Sequence, residues 1–147
     1  MGEIDEIRNF SLLWNYFEAE ACEKKGKYDS INQYVKRFQA TDFNEEQEGV
    51  IKDVFEYFKG RYEQNSHGEN KLFETLGLGD CLLRELRSEL NVANGSVQDK
   101  LVPLLKIAFR FRNNFFHGTK EIGEIKTYNL AFENLNKVLV VLNNFVY

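Results

Sequence analysis

The chain has 147 residues, with 19 Lys and Arg against 23 Asp and Glu, for a formal net charge of −4. That length suits a single domain over 1–147, and the acidic balance excludes a polybasic clamp, so any nucleic-acid site has to be local. A hydrophobic share of 43%, with 13 Phe and 7 Tyr, supplies a core and excludes a wholly disordered chain. Cys22 and Cys81 are too few for a disulfide framework. The acidic start lacks the pattern of a signal peptide and no run approaches ~18 apolar residues, so the expectation is a cytoplasmic protein with no membrane segment.

One proline leaves little to interrupt helices, and apolar residues recur at helical spacing almost throughout, which predicts an all-α fold. Ile4, Ile7, Phe10, Leu13, Trp14, Phe17 and Ala21 mark a first helix from Ile4 to Lys24, closed by Gly26. Tyr28 to Phe38 follows as a shorter helix with Ser30 as its N-cap. Asn44 and Gln47 have the form of a capping box, opening a helix whose Val50, Ile51, Val54, Phe55, Phe58 and Tyr62 form an apolar stripe that ends near Gly60 to Asn65. Gln64 to Asn70 reads as a loop, followed by a short element from Leu72 to Leu76 and the turn Gly77-Leu78-Gly79.

Asp80 then caps a helix carrying Leu82, Leu83, Leu86 and Leu90. Asn94-Gly95 breaks the chain, and Ser96 with Asp99 forms another capping box. The helix it opens reaches His117-Gly118, with Pro103 demanding a kink or a later start. Tyr128 to Phe145 is the last helix, although the β-branched stretch Lys137 to Leu142 leaves a strand as the competing assignment. The sum is a bundle of about four to five main helices.

The segment ending at His117 holds the chemistry. On a helix of about 100° per residue, Lys106, Arg110, Asn113 and His117 share one polar arc, opposite Leu101, Leu104, Leu105, Ala108, Phe111 and Phe115. Arg112 falls among the apolar residues, where a guanidinium needs an acidic partner, a polar groove, a bound anion or a second subunit. It stands about 140° and about 7.5 Å of rise from His117, which suits two groups reaching one phosphate from adjacent edges. Lys100, Lys106, Arg110, Arg112 and Lys120 meet no acidic residue between positions 100 and 120, a local basicity of the kind a phosphate site needs. The ordinary alternatives are a solvated face for the stripe, a contact with the last helical carbonyls for His117, and a structural pair with a neighbouring Glu for Arg112.

Arg112-Asn113-Asn114-Phe115-Phe116-His117 resembles the Arg-polar-x-x-x-His motif of the HEPN superfamily (higher eukaryotes and prokaryotes nucleotide-binding domains), and Gly118 fits it too. Phe10-Ser11-Leu12-Leu13-Trp14-Asn15-Tyr16-Phe17 resembles the Leu-Trp-centred first helix of several prokaryotic members. With the motif on the penultimate helix, the resemblance covers nearly the whole chain. It implies a homodimer whose two Arg/His motifs face each other, and a metal-independent endoribonuclease that needs no cofactor. In that role His117 takes or gives the proton, Arg112 stabilises charge on the phosphate, and Asn113 orients the histidine or the phosphate. Arg110, Lys106 and Lys120 become candidates for RNA-backbone contacts. Cleavage through the 2′-OH of RNA, leaving a 2′,3′-cyclic phosphate and a 5′-hydroxyl, needs both a base and an acid. The chain offers only His67 and His117, so two-fold symmetry would supply the second copy of His117.

Competing chemistries are thin. Two distant His and two distant Cys lack zinc spacing, His67 sits in a polar loop, and Gly77-Leu78-Gly79-Asp80 lacks the remaining glycines of a dinucleotide fingerprint. The resemblance therefore implies a toxin or antiphage effector that acts on RNA and has a neutralising antitoxin protein. The alternative is a non-catalytic helical module that binds a nucleotide or a partner protein, which a net charge of −4 favours.

Overall fold

The structure, a computed structural model, describes residues 3–21, 28–66, 80–91, 95–116 and 129–143. Among them run α1 (Glu3–Ala21), α2 (Tyr28–Lys36), a 3-10 turn (Ala40–Asp42), α3 (Glu45–Ser66), α4 (Asp80–Leu90), α5 (Val97–Phe116) and α6 (Asn129–Asn143), with no strand. Five of these helices have 11 residues or more and α2 has 9, so the all-α bundle is as expected, with α2 as a brace. None is long and apolar enough to cross a membrane. The short element expected over Leu72 to Leu76 lies outside the described residues.

Both capping boxes start the helices they were expected to start. Gln47 N donates to Asn44 Oδ1 at 2.8 Å while Asn44 N donates to Gln47 Oε1 at 2.9 Å, which satisfies two amides at the head of α3. At the head of α5, Asp99 N donates to Ser96 Oγ at 3.2 Å and Ser96 N to Asp99 Oδ2 at 3.1 Å. One local expectation is corrected: Ser30 does not cap α2, because that helix already opens at Tyr28. Of the two alternatives at Pro103, the later start is excluded, since α5 runs through it from Val97. Proline there removes one donor, the one that would serve the Asp99 carbonyl, and its ring is buried.

The Lys137 to Leu142 stretch is helical, within α6. Phe132, Leu135, Val138, Leu139 and Leu142 are all buried at three- and four-residue steps, a helical period that outweighs β-branched propensity. Asn136 Nδ2 donates to the Glu6 carbonyl at 2.9 Å and Asn143 Nδ2 to the Leu13 carbonyl at 3.3 Å. Both partners advance by seven residues, so α1 and α6 run parallel and in register. Parallel neighbours in a bundle require a long connection, here the whole chain between first and last helix.

Aromatic rings fill the centre. Phe132 of α6 meets Phe10 of α1 at 5.2 Å and Phe111 of α5 at 5.1 Å between centroids, both edge-on, the geometry favoured by ring quadrupoles. Trp14, fully buried, packs on Phe17 at 5.3 Å and reaches Phe109 at 6.4 Å. Helix α5 packs against α1, α2, α3 and α4, which makes the motif-bearing helix the hub of the bundle. Gln98 Nε2 fixes its start by donating to the Phe38 carbonyl at 2.9 Å, just beyond α2.

Candidate functional site at the end of helix α5

The apolar side of α5 is where the spacing placed it, with Leu101, Leu104, Leu105, Ala108 and Phe111 all buried. Ile107 is buried too, so the buried surface of α5 is wider than one stripe, as a hub contacted from several sides requires. Arg112 follows Ala108 by one turn and is half-buried. Arg110 is also half-buried but lies about 200° around the helix from Arg112 and follows Lys106 by one turn. Asn113 belongs to the last turn of α5. His117 and Lys120 lie outside the described residues, as does His67.

Lys106 is the residue for which the structure changes the expectation. It was a candidate for an RNA-backbone contact, yet it is only 6% exposed, with Nζ 2.9 Å from Glu85 Oε1 and 2.8 Å from Glu89 Oε2. Lys106 faces α4 instead of solvent, and two carboxylates already occupy its ammonium. Lys100 is engaged internally as well, donating to the Gly95 carbonyl at 2.7 Å and lying 5.9 Å from the Phe55 ring centroid. The basicity counted along positions 100 to 120 is therefore reduced in space, because α4 delivers the acidic residues that the segment itself lacks.

Burial disfavours the charged form of both partners in this cluster, with different outcomes. Burial pulls the Lys106 ammonium down, but its hydrogen bonds to Glu89 and Glu85 and their negative charges prevail, and it is held above its ordinary value of 10.5. Burial lifts the Glu89 carboxyl above its ordinary value of 4.5; the Lys106 hydrogen bond and charge offset only part of this, and the Glu85 charge adds to it. One cation shared between two carboxylates accounts for the difference: both values rise, which favours the charged form of Lys106 and disfavours that of Glu89. Glu89 Oε1 is buried with no hydrogen-bond partner, consistent with Glu89 being the less satisfied member.

Glu85 and Glu89 were not singled out from the sequence. A signal was there, since the two acids are four residues apart on one side of α4, next to Leu86 and Leu90, which are both buried. Among the described residues, no group of three His, Cys, Asp or Glu side chains is arranged to hold a metal ion. Comparison of the chain with protein-family models, with curated proteins and with solved structures finds no match.

Proposed function

We propose that the end of α5 is an RNA-cleaving site, and that the protein is a metal-independent endoribonuclease of the HEPN type working as a homodimer. In the cell it would be a toxin or antiphage effector restrained by an antitoxin protein. The observation that carries this proposal is the Arg112-Asn113-x-x-x-His117 spacing at the end of the helix that packs against four others. A hub helix held from several sides gives its last turn a rigid base, which a catalytic constellation needs. His117 from each protomer would serve as base and acid for attack by the 2′-OH on phosphorus and departure of the 5′-oxygen. Arg112 would stabilise the charge that grows on the phosphoryl oxygens, with Asn113 orienting the reacting groups. Arg110 and Lys120 remain the proposed RNA-backbone contacts, whereas Lys106 does not.

The test is cleavage of mixed cellular RNA in EDTA by wild type, His117→Ala and Arg112→Ala, with the oligomeric state of each followed by sedimentation. Cleavage by a wild-type dimer, with both variants dimeric and at least ~100-fold slower, is the expected result. Equal rates in all three would move the site elsewhere. A second proposal, a non-catalytic module that binds a nucleotide or protein, has one observation in its favour. Lys100 and Lys106 are both taken up internally, which leaves a net −4 chain with fewer cations for RNA. Nucleotide binding by wild type without any cleavage would select it.

A further inference from the structure

We propose that a groove over α6, between α1 and the start of α3, takes a basic amphipathic helix of a partner protein. The proposal stands independently of the nuclease assignment, because the groove involves no residue of the Arg112 site. Helix α6 packs against both α1 and α3, and all three line a cavity of about 780 Å³. Its apolar lining comes from Leu12 and Leu13 of α1, Val50 of α3, and Val140 and Val141 of α6. Leu12 is 63% exposed and Val140 51% exposed, so two large apolar side chains on neighbouring helices stand open to solvent beside one concave surface.

Length and charge define the occupant. The parallel α1 and α6 line the groove over similar lengths, Glu6 to Leu13 and Glu133 to Val141, about 10.5 and about 12 Å of helix. Those lengths are close to the i to i+7 span over which an amphipathic helix presents its anchors. Among the described residues that line the groove, Glu6, Glu46 and Glu133 stand against one cation, Lys137. A second copy meeting the same patch by two-fold symmetry would set carboxylates against carboxylates, and RNA would meet the same repulsion. A helix with apolar anchors flanked by Lys or Arg meets both the floor and the rim.

The test uses a fluorescein-labelled peptide of about 15 residues with Leu at i, i+4 and i+7 and Lys at the flanks. A second peptide replaces each Lys with Glu, and binding to the full chain is read by fluorescence anisotropy at low salt. The basic peptide should bind at least ~10-fold more tightly than the acidic one. Leu12→Asp and Val140→Asp, at exposed positions that leave the fold intact by circular dichroism, should each weaken it ~10-fold, and the double variant Glu46→Lys/Glu133→Lys should reverse the preference. No binding, equal binding of the two peptides, or binding indifferent to these substitutions would overturn the proposal. So would a wild-type dimer that Leu12→Asp dissociates, since the groove would then be a contact between copies.

Discussion

Lys106 of α5 and Glu89 of α4 are joined by a 2.8 Å contact between Nζ and Oε2, and that contact removes a cation from the proposed RNA surface while tying the motif helix to its neighbour. The site is thus held by an ion cluster about one turn below Arg110. The same carboxylates that neutralise Lys106 help to fix α5 in place.

Lys106→Met is expected to destabilise the fold by about 1–3 kcal/mol in urea unfolding, because it leaves two carboxylates without their cation; the partial exposure of Glu85 keeps the cost below that of a fully buried pair. Glu89→Gln retains an acceptor for Lys106 and removes a carboxylate that burial disfavours, so its cost should stay under about 1 kcal/mol. The affinity of Lys106→Met for RNA should match wild type once unfolded protein is allowed for. A selective loss of RNA affinity would restore Lys106 to the phosphate surface.

Alkaline titration checks the same cluster. The folded-state pKa of Lys106 lies above its ordinary 10.5, so its stabilising contribution is fully present below that value and is lost as pH rises through the higher folded one. Wild type minus Lys106→Met in unfolding free energy should be flat from neutral pH to about 10 and then shrink. Glu89 has the opposite consequence at neutral pH: its folded pKa is also raised, so its favourable contribution is confined to acid and is lost as pH rises through that raised value. A difference that stays constant through the alkaline range would show that the lysine is not paired in solution.

On the proposed nuclease reading, Arg112→Lys should reduce RNA cleavage by about 10- to 100-fold while keeping the charge, because an ammonium would not reproduce the planar fork with which a guanidinium can hold two phosphoryl oxygens. Arg110→Lys, offered as a backbone contact only, should change the rate by less than about threefold, since a point charge serves that purpose. Similar losses from both substitutions would argue that neither has a specific role at phosphorus.

Gly49→Ala and Gly60→Ala should each stabilise the protein by about 0.4–1 kcal/mol in thermal or urea unfolding. Both glycines lie inside α3, and a Cβ at either would meet nothing within 4 Å. The gain comes from the unfolded chain, which has less backbone freedom to lose. A loss of stability would mean that one of these positions faces a contact made in solution.

Ser96→Ala should cost about 1 kcal/mol, because it removes the acceptor for Asp99 N at the head of α5. Asn44→Ala should cost a similar amount at the head of α3. Neither should change the affinity of the groove over α6 for the basic peptide by more than about twofold, as neither side chain lines it.

Short-range pattern carried much of this molecule. Asn44 with Gln47 and Ser96 with Asp99 announce two helix starts because the interactions that make them lie within four consecutive residues, and Leu101, Leu104, Leu105, Ala108 and Phe111 announce the buried side of α5 because helical periodicity is itself local. Tertiary contact decided the rest. Helical status for Lys137 to Leu142 follows from burial against α1 and α3, continuity through Pro103 from the packing around α5, and the fate of Lys106 from Glu85 and Glu89, which are 21 and 17 residues away in the chain. A count of charges along a segment measures separation in sequence, whereas Coulomb attraction acts through space, and only the docking of α4 on α5 brings those charges within 3 Å.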